Sequence, residues 1–158
     1  MRSGHLFFGR STVEGVKVQG QTDKPTKQRN LEREEIDTFT HIGSGVLGRV
    51  RLVRTNLLPP AADGMTVGRF VFLRGDRIDD YSTTLLAHEL VHVRQFAELG
   101  ATRFLGSYIG SYLKNLAQLR NHREAYLAIP LEVEARREAQ EWKNQNLADS
   151  DPQSPQDR

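Results

Sequence analysis

The chain of 158 residues contains no cysteine. That absence excludes disulfides, thiolate metal ligands and cysteine nucleophiles together. Long apolar runs are missing as well: no stretch approaches the roughly 18 residues that a membrane-spanning helix needs. Met1 to Gly20 offers only Leu6-Phe7-Phe8 as an apolar segment, which does not read as a signal peptide. The default expectation is a cytoplasmic protein with no membrane partner, and signal-free export is compatible with the same residues. A dominant charge is also lacking, since 22 basic residues face 20 acidic ones for a net charge of +2. Arg94, Arg103, Arg120, Arg123, Arg136 and Arg137 read as solvated helix faces, and no nucleic-acid partner is expected.

Apolar residues make up 37% of the chain, enough for one core but not two. Residues 1–35 read as a flexible polar arm, because Gln19 to Gln28 has no apolar periodicity. Residues 144–158 read as a disordered tail rich in Asp, Ser and Pro. The folded domain is expected over 36–143. Val50 to Arg54 and Val67 to Leu73 have strand character, separated by the breakers Pro59-Pro60 and Asp63-Gly64. Gly43-Ser44-Gly45-Val46-Leu47-Gly48 has the spacing of a phosphate loop, but with strand-like residues after it the segment reads as a flexible turn.

Three helices are predicted: Ser82 or Asp80 to Leu99, about Thr102 to Leu119, and Pro130 to about Trp142. The fold class is α+β, a small antiparallel sheet packed on about three helices, with a metal between the first and third. An extended peptide could lie along an edge near Phe70 to Leu73.

The chemistry is written in the first helix as His88-Glu89-Leu90-Val91-His92. Histidines at i and i+4 share one helical face, a spacing that lets both imidazoles reach one Zn2+ ion. Glu89 is placed to work on a zinc-activated water as general base. The surrounding residues are apolar, where two histidines and a glutamate are costly without partners. A third ligand is expected from Glu132 or Glu134 at the start of the third helix. These two point about 200° apart, so only one can face the metal. Glu132 is favoured, because Ala135 one turn on would let the helices pack closely. Glu134, with Glu138 at i+4, reads otherwise as a solvated acidic turn or a supporting carboxylate. Tyr126 reads as a core aromatic, with an oxyanion-donor role as the alternative. His5, His41 and His122 read as surface or locally bonded histidines.

These residues resemble the gluzincin class of zinc metallopeptidases, in which a His-Glu-x-x-His helix is followed by a separate helical glutamate. Glu132 to Ala135 is similar to the Glu-x-x-Ala-Asp ligand pattern of CAAX-type endopeptidases, with Arg136 in place of the Asp. The order Ala61, Ala62, Thr66, Gly68, Val71, Phe72, Leu85, Leu86, Ala87, His88, Glu89, His92, Gln95 resembles a short bacterial metallopeptidase-like domain found in polymorphic toxins and effector proteins. The resemblance covers about residues 50 to 100, with Pro130 to Ala135 as a second block. It implies a minimal zincin-like, zinc-dependent peptidase fold and supplies no substrate; the expectation is hydrolysis of a peptide or protein substrate, with His88, His92 and Glu132 as ligands. The rival expectation is a catalytically degenerate zincin-fold binding or export module of a bacterial effector system. Hydrolysis of a non-peptide amide is a third.

Overall fold

The computed structural model describes residues 28–59, 62–75 and 83–149. Four strands, β1 (Gln28–Asn30), β2 (Arg51–Thr55), β3 (Gly64–Val67) and β4 (Phe70–Arg74), form one sheet in the order β1-β2-β4-β3. Helices α1 (Arg33–Thr38) and α2 (Ser44–Leu47) are short. Helices α3 (Thr83–Leu99), α4 (Ala101–Leu119), α5 (His122–Leu127) and α6 (Pro130–Asp149) follow the sheet. The α+β class expected from the sequence is the class observed.

The sheet is mixed rather than wholly antiparallel. β1 and β3 run antiparallel to their neighbours, but β2 and β4 pair in parallel. The chain leaves β2, passes to the far side of β4, and returns through the two-residue turn Gly68-Arg69. The single strand expected over Val67 to Leu73 is therefore the end of one strand, a turn and most of another. The outer edge is β3, not the Phe70 to Leu73 segment, which lies inside the sheet.

Side chains alternate across a strand, and the alternation fixes which face is core. Leu52, Val71 and Leu73 are buried while Phe70 and Phe72 are only partly covered. In the β3–β4 ladder Gly64 lies opposite Leu73 and Thr66 opposite Val71, so both β3 residues share the core face. That face packs on α3, whose Leu86, Ala87, Leu90 and Val91 are fully buried. Ala135, Ala139 and Trp142 close the same core from α6. The Trp142 indole donates to the Thr38 carbonyl at 3.0 Å and stacks on Phe39.

Two domain boundaries shift. Gln28–Asn30 and the start of α1, placed in the arm by sequence, belong to the fold, because Arg29 on β1 grips Glu35 of α1 through two bonds of 2.7 and 2.9 Å. Residues 144–149, placed in the tail, continue α6 to Asp149. The rest of the arm (1–27), the rest of the tail (150–158) and the expected caps Asp80 and Ser82 lie outside the described residues. The glycine-rich segment 43–48 is a helical turn that buries Leu47, not a phosphate cradle.

After α3 the chain reverses at Gly100, whose φ of +75° is a left-handed value that a side chain would strain. The reversal stacks Phe104 on Phe96 at 3.7 Å between centroids. α4 then runs back over the site-bearing part of α3, with Tyr108 one turn beyond Phe104.

Candidate metal centre

Helix α3 presents His88 and His92 one turn apart, with their Nε2 atoms separated by 3.2 Å. α6 lays Glu132 against them. The close approach of α6 depends on Ala135 and Ala139, both at most 2% exposed. Glu132 Oε2 is 3.3 Å from His88 Nε2, and Glu132 Oε1 is 3.3 Å from His92 Nε2. Ligand atoms on a tetrahedral ion at roughly 2.0–2.1 Å stand about 3.3 Å apart, close to the spacing of these contacts, although the two histidines meet different oxygens of Glu132. The ligand atoms of His88, His92 and Glu132 could hold a metal ion. Glu134 does not join them.

The surrounding bonds aim the lone pairs inward. Gln95 donates through Nε2 to the Leu131 carbonyl at 3.2 Å and to Glu134 Oε2 at 3.0 Å. Its amide is thereby oriented, and Oε1 is left to accept from His92 Nδ1 at 2.8 Å. A histidine that donates from Nδ1 keeps an Nε2 lone pair for a cation. The Tyr108 hydroxyl donates to Glu132 Oε1 at 2.8 Å, while Glu132 Oε2 is buried with no hydrogen-bond partner. That oxygen lies 3.3 Å from His88 Nε2 and 3.5 Å from Arg136 Nη1, so its partners are charges at ion-pair distance rather than hydrogen-bond donors, and a cation placed between it and the imidazoles would complete its shell.

The titration behaviour follows. Burial pushes Glu132 up, but bonds to His88 and His92 and the His92 charge outweigh it and hold the carboxyl far below its usual range. Burial pushes His92 down, but Glu132 beside it more than compensates, and the net shift is upward. Burial raises the Tyr108 phenol far above its ordinary value, and the Glu132 charge adds to it. The Tyr126 phenol is raised by burial and by the same charge. Tyr126 is nonetheless 41% exposed, so it is not the core aromatic that the sequence suggested.

Glu89 is 5% exposed and points to β3. Its Oε2 accepts from the Thr66 hydroxyl at 2.7 Å, and the same hydroxyl lies 3.1 Å from the Glu89 carbonyl. Its Oε1 lies over Gly64, where an added Cβ would stand 2.7 Å from it. Only glycine lets the carboxylate sit there. Burial raises the Glu89 carboxyl, with the Thr66 bond and the two histidines opposing.

Glu134 has another job. Arg94 Nη2 donates to Glu134 Oε1 at 2.9 Å and also reaches Glu138 Oε1 at 2.9 Å, while Nη1 donates to Glu138 Oε2 at 2.8 Å. Glu134 and Glu138 therefore fasten α6 to α3 rather than forming a solvated acidic turn, and Arg94 is not a solvated helix charge. His122 is locally bonded, to the Tyr112 hydroxyl at 2.7 Å. The buried ring nitrogens of His41 have no partner among the described residues.

Sequence reasoning brought His88, Glu89, His92 and Glu132 to one place and missed the roles of Tyr108, Thr66, Gly64, Gln95 and Arg94. Gln95 had a signal, since it lies one turn after His92. Tyr108, Thr66 and Gly64 arrive from other elements and left no local pattern.

Residues 40–99 match the family model of the eCIS core domain, related to extracellular contractile injection systems. The match spans 60 of the 158 residues, from 40 to 99 inclusive. It contains His88, Glu89 and His92 and ends before Glu132. No curated protein and no solved structure matches the chain. Among the described residues, no helix is long and apolar enough to cross a membrane. The region of this chain similar to the eCIS core domain thus supplies both histidines, and α6 beyond it supplies the carboxylate.

Proposed function

We propose that this chain is a zinc-dependent peptidase. The observation that carries the reading is the His88–His92–Glu132 cluster, in which the imidazoles stand 3.2 Å apart and each lies 3.3 Å from one oxygen of Glu132, beside a buried Glu89 that does not belong to it. His88, His92 and Glu132 would hold the ion, a nitrogen and oxygen donor set that suits zinc. When bound, zinc supplies Lewis acidity to a carbonyl and lowers the pKa of water towards about 7. The protein's own contribution begins with Glu89, whose Oε2 is tied to Thr66 and whose Oε1 has no hydrogen-bond partner among the described residues. Oε1 is the atom that takes the water's proton and passes it to the leaving amine. Tyr108 keeps Glu132 turned towards the histidines, and Gln95 keeps His92 in the required tautomer.

β3 supports a peptide as the substrate. Among the described residues it pairs only with β4, and its core-face residues Gly64 and Thr66 lie against Glu89. An extended peptide added to its free edge would lie beside the general base.

A second reading has its own support. The eCIS core match favours an effector or export role, which a non-catalytic module with the same site would fill. One experiment separates the two. The purified chain is expected to carry about one zinc, from the three-ligand count, and to cleave members of a mixed peptide library. Glu89→Gln is expected to keep the zinc and lose at least about a hundredfold in rate. Absence of zinc after chelator-free purification and reconstitution sinks the metal reading. Zinc in both proteins with cleavage by neither hands the site to the binding module.

A further inference from the structure

Helix α4 is built like a core helix and is not buried like one. Ten of its 19 residues are apolar or tyrosine, against nine of 17 in α3. Yet α4 buries only Phe104. Leu105, Ile109 and Leu113 recur at i, i+4 and i+8 and are 48%, 52% and 56% exposed. They form one stripe beside the line of Phe104 and Tyr108 that faces the protein. Isolated exposed leucines are ordinary, but a stripe along one helix marks an interaction face.

Two further features describe the occupant. Gly106 and Gly110 flank the stripe, and a Cβ added at either would meet nothing within 4 Å. No packing within the described residues requires glycine there, although glycine inside a helix is less stable than alanine. Small residues one turn apart let a second helix approach closely. The charges on α4 itself are one-sided, and the first acid after it is Glu124 on α5. α4 carries Arg103 and Lys114 and no acid. Arg120 and Arg123 follow at its C-terminal end. None of the four has an ion-pair partner among the described residues, whereas Arg29, Arg74, Arg94, Arg136 and Arg137 all do.

We infer that the exposed face of α4 docks an amphipathic helix of another protein, with an apolar stripe flanked by acidic residues. The chain's own segments fit poorly. Residues 1–27 carry five basic residues and two acidic ones, and 150–158 contain no apolar residue. A second copy fits poorly too, because antiparallel α4 helices would set Arg103 against Lys114 and parallel ones would set each cation against itself. α4 lies outside the segment similar to the eCIS core domain, so this face is separate from that likeness. It is also independent of any catalytic activity.

The test is selection from a displayed library of amphipathic helices of about 20 residues, long enough for the roughly 28 Å of α4, against the full chain. The flanking positions are randomised. The expected outcome is enrichment of Asp and Glu at the flanks. Binding by the selected helices should fall about tenfold or more with Ile109→Glu, the usual effect at the centre of an interface. Lys114→Glu should fold normally and shift the selection towards basic flanks. No enrichment, neutral or basic flanks with the unaltered chain, or binding indifferent to Ile109→Glu overturns the inference. Two controls test the other occupants. Binding to vesicles of phosphatidylcholine and phosphatidylglycerol that Ile109→Glu abolishes, with no helix selected, would assign the face to a lipid surface. A concentration-dependent dimer abolished by the same substitution would assign it to a second copy.

Discussion

Gln95 acts on the candidate metal centre through His92, without offering a ligand atom of its own. Its amide is held by the Leu131 carbonyl and Glu134, so its oxygen meets His92 Nδ1 and sets where the imidazole carries its proton. Leucine at this position would remove that acceptor and leave the Nδ1–H without a partner in a buried setting. Gln95→Leu is expected to weaken metal binding by about tenfold or more, the scale for losing such a support. Competition with a chromophoric chelator measures it, and an unchanged affinity would show that His92 orients without Gln95. The residues legible in the sequence were those whose chemistry is local. His88, Glu89 and His92 share one turn of helix, so spacing alone aligned them. Tyr108 lies among the apolar residues Leu105, Ile109 and Leu113 of the second helix, and nothing in that spacing marks its hydroxyl. Its hydroxyl acquires a purpose when Gly100 folds α4 back and brings it 2.8 Å from a carboxylate 24 residues away.

At the scale of elements, the pairing of α3 with α6 makes the site. The alanines of α6 set the distance, and Arg94 sets the lateral position by gripping Glu134 and Glu138. Glu132 and Glu134 consequently do different work two residues apart. Glu132→Ala is expected to cost tenfold or more in metal affinity. Glu134→Ala should change affinity far less and destabilise the fold by about 1 kcal/mol or less, since the Glu134 side chain is 38% exposed and its ion pair is screened. Metal titration together with urea unfolding of both variants checks the ranking, and a reversed order would move the ligand to Glu134. The long helices were readable because their apolar positions recur at helical spacing and because Gly100 and Pro130 punctuate them. The sheet was harder. Gly64–Val67 is short, starts on a glycine and follows two prolines, so it looked like a break. The parallel pairing of β2 with β4 is a long-range choice, made when α3 covers the face that carries Val71 and Leu73, and no local pattern encodes it.

Across the whole molecule, α6 is the longest tie. It reaches from the candidate metal centre to Trp142, which closes on Thr38 and Phe39 at the other end of the core. Between those ends Glu138 is gripped by Arg94. Burial pushes the Glu138 carboxyl up, but the Arg94 bond and charge outweigh it, and the group titrates below its ordinary value. Glu35, held by Arg29, is lowered in the same way. A carboxyl that is harder to protonate when folded binds fewer protons in the native state than in the unfolded one. Its contribution is complete above the unfolded pKa of about 4.3 and disappears as pH falls through the folded value. Glu89 works in the opposite sense, because burial raises it, so its protonation on acidification favours the folded chain and offsets part of the loss. The contribution of Glu138 can be isolated by comparing the chain with Glu138→Gln in urea unfolding from about pH 7 to pH 3, a range that brackets the carboxyl titration. The unaltered chain should be the more stable at neutral pH, and the gap should narrow steadily below about pH 4.3 as Glu138 takes up its proton. A gap that stays constant across the range would mean that the Arg94 clamp contributes through packing of its guanidinium and not through charge.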